Sequence, residues 1–141
     1  MHLIDTSTVA EIILGDSDSE RAQRLLETLE IEGLCLTMWT HVELASALSR
    51  RVRTGAMSTV AAEAARALYR RDFVGHATLL PIPAAAYQQA ESWVSHASLG
   101  LRTGDAMQLA AARLNGVNSI VTLDKPLRTI AATLGFKTPT P

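Results

Sequence analysis

Apolar positions along the chain fall into two kinds of stretch that alternate. Short apolar runs occur at His2-Leu3-Ile4, at Leu34-Cys35-Leu36-Thr37-Met38, at Thr78-Leu79-Leu80-Pro81-Ile82 and at Ser119-Ile120-Val121-Thr122. They predict short strands. Between them, apolar residues recur every three or four positions, which predicts helices. The first two cover about Ser7 to Leu14, stopped by Gly15, and about Ser17 to Glu30, with Ala22, Leu25, Leu26 and Leu29 on one face. The next run from Thr40 to near Gly55 and from Ser58, as cap, to about Arg71. The last three cover about Ala84 to His96, Thr103 to Asn115-Gly116, and Pro126 to Leu134, closed by Gly135.

The strands lack the polar alternation of a sheet with one wet face. Strands of this kind, separated by helices, predict a parallel sheet covered on both sides. In such α/β folds, sites form outside the carboxyl ends of the strands. The chain has 141 residues, is 48% hydrophobic and contains no repeat or linker, which predicts one domain over 1–137 and a tail at 138–141. Only 4% of residues are aromatic, so Ala, Leu, Val and Ile must fill the core. The one cysteine, Cys35, lies in an apolar run and reads as a small buried hydrophobe. No signal peptide or membrane-spanning stretch is visible, and the expectation is a cytoplasmic protein.

With a formal net charge of −1, the chain is not a general polyelectrolyte binder. Any contact with nucleic acid must use a metal or a local basic patch. Arg102 is the best placed for a phosphate, while Arg50, Arg51, Arg53, Arg70 and Arg71 also read as solvated helix ends.

Four acids occupy positions that a parallel sheet could bring to one edge. Asp5 follows the first strand and Asp124 the last, while Glu43 and Asp105 sit just inside predicted helix starts. Each also has a structural reading. Asp5 and Asp124 could cap helices, Glu43 could complete a capping box with Thr40, and Asp105 could serve a helix dipole. Jointly they imply more. Two carboxylates roughly 5 Å apart repel by about 3 kcal/mol at an effective dielectric near 20, so a cluster requires protonation or a cation. Oxygen ligands select Mg²⁺ or Mn²⁺. No His or Cys arrangement competes: His2, His41, His76 and His96 are scattered.

These residues resemble those of the PIN-domain ribonucleases, in particular the VapC-type toxins of toxin–antitoxin pairs. The resemblance is carried by Leu3-Ile4-Asp5-Thr6-Ser7, by Thr40-His41-Val42-Glu43-Leu44, by Leu101 to Ala112 around Asp105, and by Ile120-Val121-Thr122-Leu123-Asp124 with Leu127, Ala131 and Gly135. It implies a three-layer α/β/α fold with a central, mainly parallel sheet. It also implies Mg²⁺-dependent cleavage of RNA to 5′-phosphate and 3′-hydroxyl ends, an antitoxin partner and a homodimer.

On this resemblance the catalytic residues are Asp5, Glu43, Asp105 and Asp124. Asp5 and Asp105 would ligate the metal, and Ser7 and Thr122 would hydrogen-bond the carboxylates. Some relatives carry a further acidic or Asn residue after the last Asp, where this chain has Lys125, Pro126 and Leu127. That leaves one or two metals open. Two other readings compete: an inactive PIN-like binding module, and a haloacid-dehalogenase-like phosphatase. The phosphatase's second Asp is missing from Asp5-Thr6-Ser7-Thr8.

Overall fold

The structure, a computed structural model, describes residues 1–140. The predicted tail at 138–141 therefore lies partly outside the described residues. The chain forms β1 (His2–Ile4), α1 (Thr6–Leu14), α2 (Ser19–Leu29), β2 (Leu34–Thr37), α3 (Met38–Arg53), α4 (Thr59–Tyr69), β3 (Thr78–Leu80), α5 (Ala84–Val94), α6 (Thr103–Leu114), β4 (Ile120–Val121) and α7 (Lys125–Thr133). The strands make one parallel sheet in the order β3-β2-β1-β4.

Alternation along the strands divides the core in two. Leu3, Cys35 and Ile120 point to one face, where Ala86, Ala90, Trp93, Met107 and Leu109 of α5 and α6 cover them. Ile4, Leu36 and Val121 point to the other, beneath Val9, Leu44, Leu48, Ala62 and Ala65 of α1, α3 and α4. Strands β1, β2 and β4 are covered on both sides and have no use for polar alternation, which is why they read as unbroken apolar runs, whereas the edge strand β3 is exposed at Thr78 and Leu79. Cys35 is fully buried, and that burial pushes its thiol pKa up to about 12.

Helix α6 is buried along Ala106–Ala112, and its small side chains let it lie close to the sheet and α5. At the amino edge of the sheet, buried His2 is hydrogen-bonded to Ser119 at 2.7 Å and to Glu32 at 3.0 Å, tying β1 to the segment before β4 and to the turn before β2. No described helix is long and apolar enough to cross a membrane.

Several boundaries differ from the sequence expectation. Helix α3 begins at Met38, with Thr37 as its N-cap, rather than at Thr40. The last residues of β2 and the first of α3 abut directly, so Met38 belongs to the helix and not to the strand. Thr40 consequently sits inside the helix, and the Thr40–Glu43 capping box does not form. Helix α4 ends at Tyr69 and passes into a π-helical turn over Arg70–Val74.

Candidate active site

The strand order places β1 at the point where connections change direction. The chain moves from β1 to β2 to β3 on one side and then returns to set β4 on the other. Such a switch opens a crevice beyond the carboxyl end of the central strand. Asp5, the residue after β1, stands there.

Asp5 is 4% exposed. It occupies the N-cap position of α1, yet its side chain makes no capping bond. Its Oδ2 instead accepts hydrogen bonds from the hydroxyls of Ser7 and of Thr122, the latter at 2.9 Å. Burial raises its pKa, those hydrogen bonds oppose the rise, and the nearby Glu43 charge adds to it.

Glu43 is held across the core. Its Oε2 accepts from Thr6 Oγ1 at 2.6 Å and from Gln108 Nε2 at 2.7 Å. Gln108 also donates to Thr6 at 2.7 Å, and Thr40 Oγ1 lies 3.5 Å from both Thr37 Oγ1 and Gln108 Oε1. Thr40, which the sequence suggested as a helix cap, instead joins the buried support of the acid. Trp39 stands beside it with a buried, unpartnered Nε1.

Asp105 lies in the first turn of α6. Its pKa is pushed up to about 6, first by burial and then by Asp5, with Glu43 and Asp124 adding to the rise and Arg102 opposing it. The other three acids therefore all act on Asp105. Asp124 has the capping role that its sequence context suggested: its Oδ1 accepts from Leu127 N at 3.0 Å. Its Oδ2 lies 3.3 Å from Arg102, which is 70% exposed.

The acids are near enough to repel but do not form a closed cage. Among the described residues, no group of three or more His, Cys, Asp or Glu is arranged to hold a metal ion. Asp5, Glu43 and Asp124 are each tied to their own donors. The donor set still fits a hard cation, because it is all oxygen and because burial, with the neighbouring acids, makes Asp105 hard to ionise.

The sequence motifs did not single out Thr6, Gln108 or Gly104. Gln108 carried a usable signal, since it is the one amide in the run Ala106–Ala112. Gly104 permits close approach: a Cβ there would collide with Glu43 Oε1 and lie 3.2 Å from Trp39 Nε1. The basic clusters are differently placed. Arg50, Arg51 and Arg53 end α3 some 10–15 Å beyond Glu43 at 1.5 Å per residue. Arg51 pairs with Asp16, and Arg71 pairs with Asp72.

The model of the PIN domain family matches residues 2–132. The chain belongs to the PIN domain family. No curated protein matches it. Among solved structures, this PIN domain is similar to VapC20 of Mycobacterium tuberculosis, a sarcin-ricin-loop-cleaving toxin, at 22% identity and a TM-score of 0.71, with 100% of both chains covered. It is similar to VapBC2 of Rickettsia felis, solved with promoter DNA, at 13% identity and a TM-score of 0.72, covering 98% of this chain and 96% of the other. It is also similar to FitAcB of Neisseria gonorrhoeae at 20% identity and a TM-score of 0.69, again covering 98% and 96%. These likenesses establish a shared fold.

A second concavity lies away from the acids. An open groove of about 610 Å³ runs along α1 and α2 and the turn after α4, lined by Ile12, Ile13, Leu26, Leu34 and Phe73. Glu27, Glu30 and Asp72 also line it. Helix α3 does not line this groove, and its apolar residues Leu44 and Leu48 are buried in the core.

Proposed function

We propose that this PIN domain is a Mg²⁺-dependent endoribonuclease and the toxin of a toxin–antitoxin pair. The observation that carries the reading is the behaviour of Asp105, a carboxyl raised to about 6 by burial and by three other acids at the carboxyl edge of the sheet. A protein that keeps such a cluster gains from it only if something cationic uses it.

Asp5 and Asp105 would hold the cation, Mg²⁺ or Mn²⁺, which when bound supplies charge neutralisation at the phosphate and a more acidic water. Ser7 and Thr122 orient Asp5 through Oδ2. Glu43 is anchored by Thr6 and Gln108 through Oε2 alone, so its other oxygen can orient the attacking water and accept its proton. Asp124 fixes the start of α7 and pairs with Arg102, whose exposed guanidinium can exchange that partner for an RNA phosphate.

The toxin reading is supported by the likeness to VapC20 and VapBC2. The antitoxin would lay an amphipathic helix in the apolar groove between α1 and α2, with basic residues facing Glu27, Glu30 and Asp72. It would offer an Arg or Lys to the carboxylates of the cleft. A homodimer in a cytoplasmic setting completes the proposal. The test is cleavage of structured RNA by the purified chain with Mg²⁺, with Mn²⁺ or with EDTA. EDTA abolishes cleavage and either cation restores it; full activity in EDTA overturns the metal mechanism.

A further inference from the structure

Both hydrogen bonds that Glu43 receives end on Oε2. Its Oε1 packs against the bare Cα of Gly104, where a side chain would strike it. Trp39 lies one turn earlier on α3, at the i,i+4 spacing that puts two side chains on one helix face. Its indole nitrogen is buried, has no partner among the described residues, and borders the same glycine.

An indole N–H can only donate, and a buried donor is costly to leave unpaired. The other buried nitrogens without partners are Arg113 Nε and Arg128 Nε, and both of those side chains pair through another guanidinium nitrogen. Trp39 has no second polar atom. A lone donor and a free carboxylate oxygen thus flank one residue that has no side chain to separate them.

We propose that Trp39 is a positioning residue of the acidic cleft: the two side chains do not meet hydrogen-bond geometry as they stand, and a small turn lets the indole N–H donate to Oε1 of Glu43. Thr6 and Gln108 anchor one carboxylate oxygen and leave rotation about that anchor. A donor on the second oxygen stops the rotation and fixes the lone pairs that face the cleft. Gly104 is the space that the contact requires. The catalytic consequence rests on the nuclease reading above, but the contact itself does not.

The chain has two tryptophans, so its indole ¹H–¹⁵N spectrum holds two signals, with Trp93 as internal reference. In the full-length chain, Glu43→Gln moves the Trp39 indole proton upfield and leaves that of Trp93 in place. Trp39→Phe, which keeps a ring and removes the donor, lowers kcat for RNA cleavage by about tenfold with little change in KM, the scale of one hydrogen bond to a charged group. An indole signal indifferent to Glu43→Gln overturns the contact, whatever the chain's activity. A folded Trp39→Phe variant with the parent's kcat overturns the positioning role. If the parent chain cleaves no RNA, the nuclease reading fails with the positioning role, and the indole shift still decides the contact.

Discussion

The side-chain amide of Gln108 donates to Oε2 of Glu43 at 2.7 Å across 65 residues of sequence. That bond joins α6 to α3 beneath the acidic cleft, and Thr6 completes a triangle with both. Replacing Gln108 with Leu keeps much of the volume but strands Thr6, Thr40 and Glu43 with fewer partners. The variant should lose roughly 1–3 kcal/mol of stability, read by urea unfolding, and about tenfold in RNA cleavage. A variant as stable and as active as the parent shows that this network carries neither role.

Asp105 links stability to pH in the cation-free protein. Its carboxyl is raised to about 6 in the fold, against about 3.9 in an unfolded chain. Between those values the folded state binds more protons, so stability falls as pH rises through that window and stays lower above it. Asp105→Asn removes that fall. In EDTA, the Tm of the variant minus that of the parent should be near zero at pH about 4 and positive above pH about 6. Cleavage is expected to drop strongly in Asp105→Asn and Asp5→Asn. Wild-type turnover in either variant sinks the assignment of both as metal ligands.

Gly104→Ala tests the packing of the cleft. The added methyl meets Glu43 Oε1, so the acid must swing away while α6 remains helical. Ala is the better helix former, which limits the cost in stability to about 1 kcal/mol or less. Activity should nevertheless fall by tenfold or more, measured on the same RNA as the parent. Unchanged kcat would mean that the position of Glu43 is not critical.

The groove along α1 and α2 makes a prediction that is independent of catalysis. Ile13→Lys puts a charge into its apolar lining, far from the four acids. Co-expressed from its native operon, the parent should purify with a small partner protein, and the variant should lose that partner. Cleavage by the isolated variant should match that of the parent. Retention of the partner by Ile13→Lys places the docking surface elsewhere.

Much of this protein can be read without coordinates. The apolar runs predict all four strands, β1, β2 and β4 because double coverage demands continuous hydrophobicity, and the helices between them follow from three- and four-residue spacing. The four acids stand out because each adjoins the end of a strand or the start of a helix, and the resemblance to PIN domains joins them. Tertiary structure decided which of their ordinary explanations hold. Asp124 does cap a helix, whereas Asp5 occupies a cap position without capping, and Glu43 has no capping box because α3 starts at Met38. The supports of the cleft were also hidden: Thr6, Gly104 and Gln108 meet Glu43 only through the approach of α1, α3 and α6 over the sheet. A sequence pattern reports the period and direction of a single element. Which hydroxyl or amide faces a given carboxylate depends on how three elements cross, and that is set by packing among residues far apart in the chain.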